Sequence, residues 1–398
     1  MFVFLLIYLT FVITISLLIS KAGRFYVFSP LVVIYITFAA SDVVPILMYD
    51  SYKAIPSNVL FVTKWATIIN IITLLYFYRD LKKEVVLKVP VRLKKYSSKR
   101  RNLLFFFVLI LLLSGIYTGV TKSILSGVSV ENLRRTSEIG LGFITMIPYF
   151  AVYLILLQIL LSKKNISVIS AAIYCLLLGG LLFFSNAARA QILMGATIFL
   201  IWFNLKHRAL KWFEYFVLFF LISPVVATIL YVFRSGLGSL NLNEILFAHQ
   251  NMIFKMNTIQ LMKVFDGTTN YLYGLSYYVP LTILIPRFLW ADKPVSIDYY
   301  YKELAEMEFE GGGIYTTPSM DFYMNFGDFF VIPYILWILL IHYLYRVILN
   351  KRLSYIIRIS AIYFLALFST PGNLISKVQL FLLFMIISYF YYGKKYII

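Results

Sequence analysis

The stretch Thr-Pro-Ser-Met-Asp-Phe-Tyr-Met-Asn-Phe-Gly at 317–327 leads almost directly into Phe-Phe-Val-Ile-Pro-Tyr-Ile-Leu-Trp-Ile-Leu-Leu-Ile-His-Tyr-Leu-Tyr-Arg-Val-Ile-Leu at 329–349. The second segment carries a single charged side chain, Arg346, near its end. A helix needs about 20 predominantly apolar residues to cross a bilayer. The sequence therefore predicts a membrane-spanning helix that is entered through a polar segment.

Similar apolar blocks recur along the whole chain. Its 398 residues are 61% hydrophobic and 13% charged, whereas a soluble domain carries about a quarter charged residues. We predict about eleven helical spans, at residues 2–19, 28–48, 59–78, 103–118, 143–161, 168–184, 191–205, 215–233, 329–349, 355–369 and 374–392. Because no period-2 strand pattern recurs, a β-barrel is disfavoured. The predicted fold class is an all-α polytopic integral membrane protein.

The net charge of +19 is explained by topology and does not indicate nucleic-acid binding. Residues 79–101 hold ten Lys/Arg and two acids, and smaller basic clusters follow alternate spans, as the positive-inside rule predicts. Taking these loops as cytoplasmic places 23 Lys/Arg inside and 13 outside. The amino terminus is then outside and the carboxyl terminus cytoplasmic. The single cysteine, Cys175, excludes an internal disulfide.

The predicted spans divide the chain into three parts. Residues 1–233 hold eight spans, 234–328 form one large outer loop, and 329–398 hold three spans. A loop of this length is usually functional or disordered, and its many aromatic residues favour order. Within it, 243–265 has the spacing of an amphipathic helix. Residues 275–289 are apolar but interrupted by prolines, which favours a re-entrant or interfacial segment.

Three arginines lie where an apolar side chain would cost less. Arg189 begins a predicted span, Arg234 ends one, and Arg287 lies within the re-entrant segment. An arginine at membrane depth costs a few kcal/mol, and its planar fork matches phosphate oxygens. The alternative is that these side chains snorkel to the lipid headgroups. The functional interpretation is a pyrophosphate-binding set.

A general base in the outer loop has two candidates. Asp321, between Pro318 and Asn325, is the first, because a base needs an acceptor oxygen held close to the hydroxyl that it deprotonates. Its alternative role is to cap the following helix, which Asp328 suits better. His249 is the second candidate, since its side chain titrates near neutral pH. The acidic run at 303–310 favours a solvated face over a metal site, and we predict no metal or cofactor.

The outer loops also supply candidate sugar-binding residues, namely Arg135, Tyr278, Trp290, Lys293 and Asn325. Aromatic faces stack on sugars, although aromatic belts at the membrane interface have the same composition. Motifs of soluble enzymes are absent from the sequence. It has no P-loop, no dinucleotide glycine fingerprint and no His-Glu-x-x-His.

The order of these motifs resembles the Wzy-type O-antigen and capsule repeat-unit polymerases of bacterial inner membranes. The matching residues are Asn186-Ala-Ala-Arg189, Arg234, Ile285-Pro-Arg-Phe-Leu-Trp290 with Lys293-Pro294, Thr317-Pro318-Ser319 and Asn325-Phe326-Gly327. The resemblance covers mainly residues 185–345. Asp321 stands where relatives often carry a glutamate before the Asn-Phe-Gly element.

The resemblance implies a glycosyltransferase with a fold like the GT-C polymerase and ligase class. Its substrates would be undecaprenyl-pyrophosphate-linked oligosaccharides, joined on the periplasmic side of the inner membrane. Arg189, Arg234 and Arg287 would neutralise the leaving pyrophosphate, and Asp321 or His249 would take the proton. Membrane lipid and a polysaccharide chain-length regulator would be the partners, with no nucleic acid.

Two other functions compete with this interpretation. An O-antigen ligase, which transfers the finished polymer to lipid A-core, also needs an outer loop with arginines and a base. A non-enzymatic flippase or transporter of lipid-linked oligosaccharides is the second alternative. Transporters often show internal repeats and charges deep in several spans. Here the polar residues concentrate in one loop and no repeat is found, which ranks the transporter last.

Overall fold

The computed structural model describes residues 55–82, 166–186, 189–208, 256–265, 271–282, 297–306 and 316–350, with shorter pieces and single positions elsewhere. The regular structure in these ranges is helical throughout, and none of the described residues forms a strand. The all-α prediction is therefore confirmed for this part of the chain. The other predicted spans lie wholly or mostly outside the described residues.

The described helices are short in the predicted outer loop and long at the predicted spans. They are α1 (Ser57–Lys82), α2 (Val168–Asn186), α3 (Arg189–Trp202), α4 (Met256–Val264), α5 (Leu275–Thr282), α6 (Ile297–Leu304), α7 (Pro318–Phe326) and α8 (Val331–Asn350). A π-helical turn, Phe203–His207, extends α3, and a 3-10 turn, Gly327–Phe330, joins α7 to α8.

Four of the predicted spans coincide with these helices. The predictions at 59–78, 168–184, 191–205 and 329–349 match α1, α2, α3 with its π turn, and α8. Within the described residues, two helical stretches, Ser57–Phe77 and Pro318–Leu349, are long and apolar enough to cross a membrane. The second stretch includes α7, so the helical region begins eleven residues before the predicted start of the span.

Helices α1 and α8 pack side by side and run in the same direction. Contacts between them follow the same order in both helices. Near the start, the rings of Phe61 and Phe330 are 6.1 Å apart. Further along, the Tyr334 hydroxyl donates to Asn70 Oδ1 over 3.1 Å. Beyond this bond, the rings of Phe77 and His342 lie 3.8 Å apart. The amino-terminal ends of the two helices therefore lie together.

The described loop helices gather at that shared end. Asn58, in the first turn of α1, donates from Nδ2 to the carbonyl oxygens of Met262 and Phe265 over 2.6 and 2.7 Å. Met262 lies in the last turn of α4 and Phe265 directly follows it, where helices leave carbonyl groups without an intrahelical partner. A side chain of one long helix therefore fixes the end of a loop helix.

Helix α4 confirms part of the amphipathic prediction. Ile259, Leu261 and Met262 are buried, whereas Gln260 and Lys263 are exposed. This alternation is the apolar stripe that a helix presents to its neighbours. Residues 243–255 of the predicted helix lie outside the described residues.

Helix α5 differs from the predicted interruption at its first proline. It continues through Pro280 to Thr282. Pro280 lacks the N–H that would bond one turn back, and interior prolines usually kink or end a helix. Here the helix ends only two residues later, and the Thr282 hydroxyl donates to the Val279 carbonyl over 2.6 Å.

Helices α2 and α3 pack against each other closely enough to bring backbone next to backbone. A Cβ atom added to Gly195 of α3 would lie 2.5 Å from the Cys175 carbonyl oxygen and 3.3 Å from the Gly179 Cα of α2. Small residues permit such an approach, which increases van der Waals contact between the two helices. Cys175 is buried in this interface.

Candidate functional site

The segment 317–327 forms a helix of its own. Thr317 has extended backbone dihedrals and precedes Pro318, which is well suited to a first helical position because it has no N–H to satisfy. Helix α7 buries residues on most of its circumference, namely Ser319, Met320, Phe322, Tyr323, Met324 and Asn325. Asp321 is therefore inside a helix that precedes the 3-10 turn. It does not cap α8, which was its alternative role.

The Asp321 carboxylate is held by hydroxyl groups from two other loop helices. Oδ1 accepts a hydrogen bond of 2.7 Å from the Tyr301 hydroxyl of α6. Oδ2 faces the Ser276 hydroxyl of α5 at 3.4 Å, which is long for a hydrogen bond between two oxygens. Asp321 itself is partly exposed. The site thus combines a fixed carboxylate with partial access to solvent.

Asn325 connects this carboxylate to the surrounding backbone. Its Nδ2 donates to Ser276 Oγ and to the Asp321 carbonyl oxygen, both over 2.7 Å. Its Oδ1 accepts from the Gly274 N–H over 2.9 Å. Asn325 is 0% exposed, so both ends of its amide are used inside the protein. This role differs from the predicted sugar contact, for which Asn325 has no accessible group.

The turn before α5 docks onto the end of α7. The Leu272 N–H donates to the Met324 carbonyl over 2.9 Å, next to the bond between Gly274 and Asn325. Tyr273 has φ of 46° and Gly274 has φ of 91°. Glycine adopts positive φ without the steric cost that a Cβ brings. The Tyr-Gly pair therefore turns the chain so that Ser276 reaches Asp321.

Gly327 ends α7 at a position that has no room for a Cβ atom. Its φ is +57°, and a Cβ added there would lie 2.5 Å from the ring of Tyr271. The Tyr271 ring also contacts Tyr323 edge to face, with centroids 6.0 Å apart. Glycine is required at this position both for the backbone conformation and for the space taken by the ring.

An aromatic wall flanks the carboxylate on the side of α5 and α8. Tyr277 stacks on Phe326 with ring centroids 6.2 Å apart, and it also contacts Phe322 at 5.8 Å. Phe322 in turn meets Tyr334 and Trp337 of α8 edge to face, each at 6.2 Å. Aromatic pairs in these geometries add stability beyond the burial of their area. The wall joins α5, α7 and α8.

The two buried phenols beside Asp321 remain protonated at neutral pH. Burial raises the pKa of Tyr301 and of Tyr277, and the negative charge of Asp321 raises both further. Both effects disfavour the phenolate. Tyr301 therefore stays a hydrogen-bond donor, and proton uptake in this group of residues falls to the carboxylate.

The other predicted site residues fall into three groups. Tyr278 is 53% exposed, and Trp290 is partly exposed. Arg189 is the first residue of α3, and its side chain is not described. The remaining residues, Arg135, Arg234, His249, Arg287 and Lys293, lie outside the described residues. The described part of the chain therefore includes no side chain of the three predicted pyrophosphate-binding arginines.

Two members of the acidic run, Glu303 and Glu306, are exposed near the end of α6. Glu308 and Glu310 lie outside the described residues. Across the ranges that the structure describes, no three His, Cys, Asp or Glu side chains come together as metal ligands would.

The sequence did not predict the roles of Ser276 and Tyr301 as partners of Asp321, or the role of Asn58. Ser276 carried a weak signal, because it is a polar residue within an apolar segment. Tyr301 was one of many loop tyrosines and had no distinguishing signal. No family of known proteins, no curated protein and no solved structure matches this chain, so the roles of these residues follow from their chemistry and placement.

Proposed function

We propose that this chain is a polytopic glycosyltransferase of the bacterial inner membrane. It joins undecaprenyl-pyrophosphate-linked oligosaccharide repeat units into O-antigen or capsular polysaccharide on the periplasmic face. The observation that carries the proposal is the partly exposed Asp321 carboxylate, held by Tyr301 and Ser276 immediately before a helix long enough to span the membrane.

The reaction requires a base for a sugar hydroxyl. The acceptor O–H bond breaks as its proton moves to Asp321, and the acceptor oxygen attacks the anomeric carbon of the donor unit. The bond from this carbon to the pyrophosphate oxygen breaks, and undecaprenyl pyrophosphate leaves with the electron pair. A positioned base contributes a rate factor of about 10²–10⁴ to such a transfer. His249 is the alternative base.

The leaving pyrophosphate requires positive charge on the same side of the membrane. In the predicted topology, Arg189, Arg234 and Arg287 are all on the outer side, and arginine keeps its charge at any physiological pH. Electrostatic stabilisation of developing charge is usually the largest single contribution to catalysis. No metal or other cofactor enters the proposed step.

The arrangement of the described helices supports a site on one face of the membrane. α1 and α8 begin at the same end, and α4 is tied to that end through Asn58. Helix α7, with Asp321, leads into α8 there. In the predicted topology this end is periplasmic. Tyr278 and Trp290 would contact sugars of the substrate, together with Arg135 and Lys293. A chain-length regulator is the proposed protein partner.

The first test is a gel of surface polysaccharide from the source bacterium after deletion of the gene and complementation with variants. If polymerisation is lost, the gel shows lipid core that carries a single repeat unit. Complementation with the wild-type gene restores the ladder of polymer lengths. We expect Asp321→Asn to leave the single unit and Asp328→Asn to restore the ladder. Asp328 is the matched control, because it is an exposed acid in the next turn.

Other outcomes of this experiment have definite meanings. A bare lipid core after gene deletion would contradict polymerisation and favour the ligase or the flippase. A normal ladder with Asp321→Asn would remove Asp321 as the base and transfer that role to His249. Membrane levels of each variant, measured by immunoblot, show whether a missing ladder reflects missing protein.

A further inference from the structure

Helix α7 has little accessible surface, and most of its residues are buried. Pro318 and Asp321 are partly exposed, and Phe326 is 38% exposed. Phe326 is the last residue of the helix. Apart from the proline at its first position, the accessible surface of α7 therefore consists of one carboxylate and one aromatic ring.

Tyr277 of α5 connects the carboxylate to this ring. Burial raises the pKa of Tyr277, and the negative charge of Asp321, which its hydroxyl faces, raises the pKa further. The ring of Tyr277 lies 6.2 Å from the ring of Phe326, and the two planes are 19° apart. Tyr277 is itself partly exposed. One tyrosine side chain thus reaches from Asp321 to Phe326, and the three side chains form a continuous strip.

The ring of Phe326 is held in place, unlike that of its neighbour Phe329. Phe322 also stacks on Phe326, with centroids 6.4 Å apart and planes at 25°. Phe329 is 76% exposed and, within the described residues, contacts no other ring. A side chain that is already ordered loses little conformational freedom when a ligand packs on it. Phe326 is therefore the better prepared of the two to bind a ligand.

The strip has the chemistry that recognises a sugar ring. A pyranose face without axial hydroxyls presents C–H bonds, which pack on an aromatic ring, and the hydroxyls at its edge require hydrogen-bond partners. An acyl chain would match the rings but would lie against the carboxylate, where an apolar group leaves a polar group unsatisfied. A phosphate would be repelled by the charge of Asp321.

Resting on the proposed function, we propose that Phe326 is the stacking platform for the acceptor sugar of the lipid-linked oligosaccharide. The C–H face of the pyranose lies on the exposed part of the Phe326 ring, and the hydroxyl that attacks is directed along Tyr277 towards Asp321. Phe326 thereby selects an acceptor sugar with no axial hydroxyl on that face. It binds substrate and takes no part in proton transfer.

The first experiment measures binding without turnover. The probe is the lipid-free repeat-unit oligosaccharide of the source bacterium, added to the purified full chain in detergent. Saturation-transfer NMR identifies the sugar protons that contact protein. We expect the C–H protons of one terminal sugar to receive the strongest transfer in the wild type and in Phe329→Leu, and to lose it in Phe326→Leu. Equal transfer in Phe326→Leu and the wild type would overturn the platform, as would no transfer in the wild type.

Steady-state polymerisation of lipid-linked repeat units tests the same residue during turnover. We expect Phe326→Leu to raise KM about 3- to 10-fold, which corresponds to the loss of one aromatic stacking contact. The kcat should stay within about twofold, because stacking stabilises the bound substrate and the transition state equally. Phe326→Tyr keeps the ring and should retain the wild-type KM. An unchanged KM in Phe326→Leu would contradict the proposal.

A further variant protects the test against loss of folding. Phe326→Met keeps an apolar side chain that adapts to its surroundings but has no ring face. If Phe326→Leu does not fold, Phe326→Met decides, with the same expected loss of saturation transfer and the same rise in KM. Wild-type binding and wild-type KM in Phe326→Met would then overturn the platform.

These outcomes separate the platform from the proposed function. Loss of polymer in Asp321→Asn, combined with unchanged probe binding in Phe326→Leu, would contradict only the platform. Loss of probe binding in Phe326→Leu, combined with a normal ladder in Asp321→Asn, would support the sugar platform and contradict only the role of Asp321 as base.

Discussion

The contacts between α2 and α3 are of a different kind from the contacts within the group formed by α1, α5, α7 and α8. The α2–α3 pair relies on close approach of backbones at Gly195. The second group adds hydrogen bonds between side chains, such as Tyr334 with Asn70 and Asn325 with Ser276. Close packing stabilises a pair of helices, whereas directional bonds fix individual atoms. The proposed proton transfer to Asp321 would need the second kind of contact.

The largest effect on stability is expected from breaking the second group at Gly327. Gly327→Ala introduces a Cβ where φ is +57° and where the Tyr271 ring lies 2.5 Å from the new atom. Gly327 has φ of 57° and ψ of −138°, a region that residues with a side chain rarely adopt and that costs them about 1–3 kcal/mol. Overpacking adds about 1–3 kcal/mol. We expect the melting temperature in detergent and the proposed polymerisation activity to fall together.

The double variant Gly327→Ala with Tyr271→Ala separates the cost of the backbone conformation from the cost of the steric overlap with the Tyr271 ring. It removes the steric overlap and keeps the unfavourable backbone conformation, so it should recover stability relative to the single Gly327→Ala change. If Gly327→Ala were as stable as wild type, the steric account of this turn would be wrong.

The next largest effect is expected from the α2–α3 pair. Gly195→Ala places a Cβ 2.5 Å from the Cys175 carbonyl oxygen, and this backbone atom cannot move aside as a side chain does. We expect a loss of about 1–3 kcal/mol in unfolding free energy. Ala196→Val is the control, because Ala196 is exposed on the same helix and should tolerate the larger side chain.

Gly195→Ala also tests whether the α2–α3 pair is independent of the group formed by α1, α5, α7 and α8. If the proposed function is correct, the folded fraction of Gly195→Ala protein should polymerise at the wild-type rate, because the change leaves the Asp321 carboxylate and its partners intact. Activity per folded molecule, measured after removal of aggregates by size-exclusion chromatography, checks this expectation. A specific loss of kcat with unchanged stability would contradict it.

The smallest effect is expected from a single hydrogen bond between α1 and α8. Tyr334→Phe removes the donor to Asn70 and keeps the ring contacts with Phe322 and Trp337. Hydrogen bonds between membrane helices contribute about 0.6 kcal/mol on average. We expect a small decrease in melting temperature, and no decrease for the exposed Tyr343→Phe on the same helix. A loss as large as that of Gly195→Ala would contradict the ranking.

The sequence predicted the long helices well because their signal is local. Runs of apolar side chains predicted helices at 59–78, 168–184 and 329–349, and the structure has α1, α2 and α8 there. The boundary before α8 was less accurate. Pro318 starts a separate helix, because its fixed φ and missing N–H suit a first helical turn. Asp321 lies inside this helix, which excludes its alternative role as a cap of α8.

The candidate site was predicted only in part. Asp321 was singled out as a polar residue next to an apolar segment, and Gly327 was noted within the Asn-Phe-Gly element. The partners of Asp321 were not predicted, because Ser276 lies 45 residues and Tyr301 lies 20 residues before it in the chain. Many other loop residues have the same chemistry, so only the path of the chain distinguishes these two.

The sequence by itself determined where the described long helices run, since the cost of exposing apolar side chains and backbone groups acts within each segment. Tertiary structure alone decided which polar atoms meet. It placed the Tyr301 hydroxyl on one oxygen of Asp321 and buried Asn325 behind the site. Each of these contacts depends on the positions of several helices at once, and hydrogen bonds tolerate only small errors in distance and angle.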